Sequence, residues 1–184
     1  MKVIEVRRHS LRDKEGNLSE EGRKFAQKAA LTLEGNYNKI ISSPSARTIQ
    51  TAEAFGFKNI EKDDRFSGLP SEKITPHEGR VEETRTAKNL TLLQTYYEVP
   101  ETRSILEEWG KNFLQSIISL SKELADGGRA LIVSHSGSIE PATLAALNKS
   151  SLNEIGGQFS ECEGAKFFID AGIVRRVDII RLSL

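Results

Sequence analysis

Residues Arg129 to Ser134 enclose an uninterrupted apolar run, Ala130-Leu131-Ile132-Val133. A strand wetted on one face alternates apolar and polar residues. Four apolar residues in a row therefore mark a strand covered on both faces. Such a strand needs helices above and below it, and the rest of the chain supplies them. Lys2 to Arg7 is rich in β-branched residues and reads as a first strand, with Glu5 and Arg7 on one face, spaced to pair. Ser10 to Asn17 is a polar loop. Ser19 then fits a helix N-cap, Glu20 and Glu21 suit the positive end of that helix, Phe25, Ala29 and Leu33 form its apolar stripe, and Gly35 ends it. Tyr37 to Ser42 is a second strand. Ser43 caps and Pro44 opens a second helix, with Ala46, Ile49, Ala52 and Phe55 facing inward.

Asn59-Ile60-Glu61 reads as a short third strand. Glu101 to Ala125 carries the longest helical pattern, with Ile105, Leu106, Trp109, Phe113, Ile117, Leu120 and Leu124 recurring at threes and fours into the core. Another helix runs from about Ser138 to Leu147. Ala165 to Asp170 and Ile173 to Leu182 form a hairpin turning at Ala171-Gly172. This alternation predicts a three-layer α/β/α sandwich with a largely parallel central sheet and a C-terminal antiparallel hairpin.

The 184 residues fit one domain. Its least periodic part is 57–100. There Ser67 to Gly79 reads as loop and Val81 to Tyr97 as one helix carrying Leu90, Leu93 and Tyr97, so the segment is expected as a lid-like excursion from the core. Lys+Arg and Asp+Glu are equal at 26 each, which gives no reason to expect nucleic acid or an anionic membrane as partner. The single cysteine, Cys162, cannot form an intrachain disulfide and has no metal or redox motif around it. No run approaches the ~18 apolar residues of a membrane span, and the charged N-terminus does not read as a signal peptide. A cytoplasmic protein is expected. The oligomeric state is left open.

In a parallel sheet the carboxyl ends of the strands share one edge, where open α/β folds place their ligands. His9 follows the first strand, Ser42-Ser43 and Arg47 follow the second, and His135 follows the buried run. Arg8, Arg47, two histidines and a helix N-terminus would then line one pocket, and such a pocket suits a dianion. Neighbouring cations disfavour protonation of an imidazole and keep it nucleophilic near neutral pH. Each of these residues alone has an ordinary explanation as a turn, a cap or a surface cation; their joint placement carries the inference. His77, in the aperiodic middle, is given no role.

In order and spacing, several pieces resemble the histidine phosphatase superfamily, which includes the cofactor-dependent phosphoglycerate mutases. They are Val6-Arg7-Arg8-His9, Leu18-Ser19-Glu20-Glu21-Gly22, Ser42-Ser43-Pro44 with Arg47-Thr48 and Thr51-Ala52, and Val133-Ser134-His135-Ser136-Gly137. The resemblance implies that His9 is the phosphorylated nucleophile, that Arg8, Arg47, His135 and Ser136 hold the phosphoryl group, and that no metal or other cofactor is required. It implies a phosphatase acting on a small phosphorylated molecule. The alternatives are mutase-type phosphoryl transfer, a protein phosphohistidine phosphatase, and a phospholigand-binding module without turnover.

The chain departs from the family pattern in two places. Ser10 stands where glycine usually follows the histidine. The family's proton-donating carboxylate is expected near Gly68, where none stands; Asp63, Asp64, Glu72, Glu78 and Glu82 are nearby. Glu72, which follows Gly68-Leu69-Pro70 in a loop able to reach the pocket, is the expected donor.

Overall fold

A computed structural model describes residues 1–183. Strands β1 (Lys2–Arg8), β2 (Lys39–Ser42), β3 (Glu61–Lys62), β4 (Arg129–Ser134), β5 (Gly164–Asp170) and β6 (Ile173–Ile180) form one sheet in the order β3-β2-β4-β1-β5-β6. The first four strands are mutually parallel, while β5 runs antiparallel to both β1 and β6. The hairpin turns at Ala171-Gly172, both with positive φ (48° and 76°), the backbone of a two-residue turn that matches strand twist.

Strand alternation divides the core into two layers. Ala130 and Ile132 of β4, Ile4 and Val6 of β1, and Phe167 of β5 pack against helices α4 (Leu92–Glu98), α5 (Pro100–Glu123) and α6 (Ile139–Leu147). Leu131 and Val133 face the other way, onto α1 (Glu20–Ala29) and α2 (Ala46–Ala54). Every residue from Ala130 to Val133 is fully buried. The three larger side chains of that run contribute about 1.5–3 kcal/mol each by leaving water. Helix α5 supplies Leu106, Phe113, Ile117 and Leu120 to this core, as its spacing predicts, whereas Trp109 is only half-buried and donates from its ring N–H to Ser138 Oγ at 2.9 Å.

The Glu5–Arg7 pair forms within β1. Both side chains are buried, and Arg7 Nε donates to Glu5 Oε1 at 2.6 Å. The remaining polar atoms are also occupied: Tyr37 donates to Glu5 at 2.8 Å and Arg7 donates to the Cys162 carbonyl at 2.9 Å.

The expectations fail mainly where local signals compete. Helix α2 starts at Ala46 with Ser45 as N-cap, two residues later than Ser43-Pro44 suggests. Its buried residues are Thr48, Thr51, Ala52 and Ala54, with Phe55 at its C-cap, rather than Ala46 and Ile49; both threonine hydroxyls donate to backbone carbonyls, of Ser43 and Arg47, and so can be buried. The helix expected from Val81 to Tyr97 is two helices, α3 (Glu78–Lys88) and α4, and Gly79 lies inside α3. Asn89 breaks them in a left-handed conformation (φ 51°), and Thr91 with Gln94 caps α4 reciprocally. The apolar period runs across this break, so periodicity alone hides it.

Candidate active site

Strand β4 lies between β2 and β1, so His135 emerges between the chain segments that carry Arg47 and His9. The strand ends are level: Arg8 pairs with Ser134 and Ser42 with Val133. The ladder continues one residue further, with His9 N donating to the Ser134 carbonyl and Ser43 N to that of Val133. His9 is therefore held by a backbone bond at the sheet edge, and the His135 carbonyl accepts from Ser138 N at 3.2 Å and Ile139 N at 3.3 Å in the turn that follows. The ring centroids of His9 and His135 are 5.3 Å apart, and the two residues are only 9% and 7% exposed.

The hydrogen bonds assign the tautomers. His9 Nδ1 is 2.7 Å from the Ser10 carbonyl, which only accepts, so Nδ1 carries the proton and Nε2 the lone pair. Arg47 Nε donates to that lone pair at 3.1 Å. The same guanidinium donates through its NH2 group to His135 Nδ1 at 3.2 Å. The His135 proton is then on Nε2, which donates to Ser43 Oγ at 2.8 Å. One arginine thus holds the lone pairs of both neutral rings.

Burial and the positive charges keep the rings neutral. His9 is lowered to about 4, first by burial and then by Arg47, Arg8 and Arg12; its bond to the Ser10 carbonyl opposes this. His135 is lowered to about 3, by burial, then by His9, Arg47 and Arg8.

The cleft above the rings measures about 450 Å³. Arg8, Arg12, Arg47, Ser136 and Gly137 line it beside the histidines, with Leu69, Ile74, Leu93 and Tyr96 on the side of the 57–100 segment. Arg8 donates to the Phe159 carbonyl at 2.7 Å and pairs with Glu161 at 2.9 Å, while its Nε is buried with no acceptor among the described residues. Ser136 lines the cleft, but its hydroxyl donates to the buried Glu140 carboxylate at 2.8 Å. The same carboxylate accepts from Gly137 N and Phe159 N, fixing the turn after His135. Such a site can bind an anion, and it offers a nucleophilic nitrogen at that anion.

The structure brings His9, Arg8, Arg47, His135 and Ser136 together. It does not bring Glu72 with them: Glu72 is exposed on the short 3₁₀ turn Ser71–Lys73 and does not line the cleft, whereas Ser71 at the start of that turn and the buried Ile74 just after it do. Ser10 is accommodated, since its buried hydroxyl donates to the Gly22 carbonyl at 2.8 Å. Arg12 and Gln158 line the cleft without having been expected there, and Ser43, expected at the strand end, bonds to His135. Arg12, three residues after His9 in the loop leaving β1, was open to the same strand-end logic. Ser43 has the chemistry of a helix cap as well as a strand-end position, and Gln158 carries no local signal.

The family model for the histidine phosphatase superfamily (branch 1) matches residues 6–158. No curated protein matches the sequence. Among solved structures, the fold is similar to a phosphoserine phosphatase from Entamoeba histolytica in complex with 3-phosphoglyceric acid (16% identity, 100% of this chain and 98% of that one, TM-score 0.69). It is also similar to a mycobacterial glucosyl-3-phosphoglycerate phosphatase in complex with VO3 (19%, 100% of both chains, TM-score 0.70). A third similar structure is a phosphoglycerate mutase from Bacillus anthracis (17%, 98% and 92%, TM-score 0.65). Identities this low carry the fold alone. The family match spans β1 to Gln158 and encloses both histidines and both arginines at the sheet edge, and on that ground the chain belongs to the histidine phosphatase superfamily, branch 1.

Proposed function

We propose that this protein is a phosphomonoesterase that works through a phosphohistidine on His9. The observation that carries the reading is the Arg47 bridge: one cation addresses the lone pairs of two neutral, buried imidazoles, 3.1 Å from His9 and 3.2 Å from His135. A phosphoryl group arriving there offers Arg47 better acceptors than a ring nitrogen, because charge-assisted bonds to phosphate are the stronger ones. Arg47 then moves to the phosphoryl oxygens and His9 Nε2 is released to attack phosphorus. Arg8 and Arg12 add positive charge at the same mouth, and His135 flanks the transferring group. Phosphoryl transfer needs in-line positioning and charge neutralisation, and these residues supply both. The Ser10 carbonyl, bonded to His9 Nδ1–H, stabilises the positive charge the ring acquires on attack.

The substrate in this reading is a small phosphorylated molecule. The similar structures include phosphatases, and those named for phosphoserine and glucosyl-3-phosphoglycerate suggest the size of a hydroxy acid or sugar conjugate. Leu69, Ile74, Leu93 and Tyr96 give the cleft an apolar side from 57–100, the segment we assign to substrate selection. The test is a panel of metabolite phosphates and p-nitrophenyl phosphate, run with His9→Ala alongside. The expected result is phosphate release by the wild type and none by the variant; full activity in His9→Ala overturns the mechanism.

A further inference from the structure

A departing alkoxide needs a proton, so the phosphatase reading requires an acid on the leaving-group side of the cleft. The position where the sequence directs the search is Gly68, which carries no side chain and where any side chain would crowd His135. A Cβ on Gly68 would stand 3.2 Å from Cγ and 3.3 Å from Cδ2 of His135, already tight for one carbon. The backbone packs directly on the imidazole at that point, so the acid must come from elsewhere.

The lining residues narrow the choice. Arginines do not release protons at working pH. His9 is the nucleophile, and the His135 proton is committed to Ser43. The Ser136 hydroxyl is committed to Glu140, and Ser71 is a plain alcohol. Tyr96 lines the cleft, but burial pushes its phenol up, which makes it a poorer donor. The neighbouring carboxylates fall away too. Asp63 is bound to Arg65 at 2.6 Å, and neither Asp64, Glu72 nor Glu82 lines the cleft. Among the described residues, Glu78 is the one carboxyl group in the lining. It is the first residue of α3, reached through the 3₁₀ turn Thr75–His77, and Thr75 Oγ1 donates to Glu78 Oε1 at 3.4 Å.

We propose that Glu78 is the proton donor to the leaving group, in place of a carboxylate at Gly68; this rests on the phosphatase reading above. In the first step the His9 Nε2–phosphorus bond forms and the phosphorus–oxygen ester bond breaks. The ester oxygen takes the Glu78 carboxyl proton and leaves as the alcohol. In the second step water attacks phosphorus, Glu78 carboxylate takes the proton from that water, and the nitrogen–phosphorus bond breaks to return His9 and release phosphate. Glu78 ends protonated, so the cycle balances.

The experiment compares wild type, Glu78→Gln and Glu72→Gln on glycerol phosphate, phenyl phosphate and p-nitrophenyl phosphate, with thermal melts to verify folding. A general acid matters most where the leaving group is least able to carry charge. Glu78→Gln is expected to lose roughly 10²-fold or more in kcat/KM on glycerol phosphate and to stay within a few-fold on p-nitrophenyl phosphate, whose phenol leaves unaided. Equal loss on all three substrates, no loss on any, or the split appearing in Glu72→Gln overturns the proposal. So does a wild type that hydrolyses p-nitrophenyl phosphate but not glycerol phosphate, which would mark a site built for good leaving groups. Absence of a phosphohistidine in wild type quenched during p-nitrophenyl phosphate turnover is a different failure, that of the phosphatase reading itself.

Discussion

Arg47 Nε lies 3.1 Å from His9 Nε2 and donates to its lone pair, so the atom proposed to attack phosphorus is held by the cation proposed to bind it. The contact fixes the ring tautomer without any carboxylate partner. It also gives Arg47 a role that a point charge cannot fill, since its planar fork reaches two rings at once. Arg47→Lys keeps the charge and loses the fork. Its kcat/KM on p-nitrophenyl phosphate is expected to fall by about 10²–10³, the usual cost of removing one preorganised donor. Inhibition by inorganic phosphate should weaken in parallel. A loss under tenfold in steady-state kinetics would contradict this role.

The two lowered histidines make the fold sensitive to mild acid. Their ordinary value is 6.5, and the fold holds His9 near about 4 and His135 near about 3. Above 6.5 neither the folded nor the unfolded chain protonates them. As pH falls below that value the unfolded chain binds protons that the fold refuses, and stability drops until the folded values are reached. The slope is at most about 1.4 kcal/mol per pH unit for each ring. Urea unfolding at about pH 7, 6 and 5 should show this decline, and the double variant His9→Gln with His135→Gln should flatten it. An equal slope in the double variant would place the effect in other groups.

Glu5 and Arg7 are both fully buried on one strand, 2.6 Å apart. Glu5 also faces Lys166 Nζ at 3.8 Å, so it is the removal of Glu5 that strips the buried Arg7 of its carboxylate. Glu5→Ala is expected to cost about 3–5 kcal/mol, whereas replacing both residues by apolar side chains of similar volume costs less. Urea unfolding of Glu5→Ala, Arg7→Met and the Glu5→Leu/Arg7→Met pair tests this, and a double variant worse than either single one would refute it.

Gly110 sets the distance between α5 and α6. A Cβ there would meet Pro141 Cβ at 2.4 Å and the Pro141 backbone at 2.5 Å. Gly110→Ala must push the two helices apart despite its better helix propensity, for a net loss of about 1–3 kcal/mol. Helix α6 follows directly from the His135 turn, so kcat/KM should fall along with the melting temperature. An unchanged melting temperature would show that the helices separate freely.

Much of the architecture was legible because the signals were local and reinforced one another. The run from Ala130 to Val133, the cap at Ser19 and the turn at Ala171-Gly172 each required one conformation. So did the spacing of Glu5 and Arg7, since residues two apart on a strand share a face. The failures arose where one residue type serves two purposes. Ser43 has the chemistry of a helix cap, but its hydroxyl lies 2.8 Å from His135 Nε2 and accepts the ring proton. Asn89 interrupts a helical period that continues on either side of it.

The sequence by itself determined the strands, the long helix and the set His9, Arg8, Arg47 and His135 at strand ends, because backbone propensity and apolar period act over a few residues. Only the tertiary structure decided that β4 lies between β1 and β2. That order sets the two rings side by side within reach of Arg47, so that one guanidinium bonds to both. It also decided that, of two exposed carboxylates six residues apart, Glu78 lines the cleft and Glu72 does not. The direction of a side chain in an aperiodic loop depends on what the loop packs against, and that partner is distant in sequence.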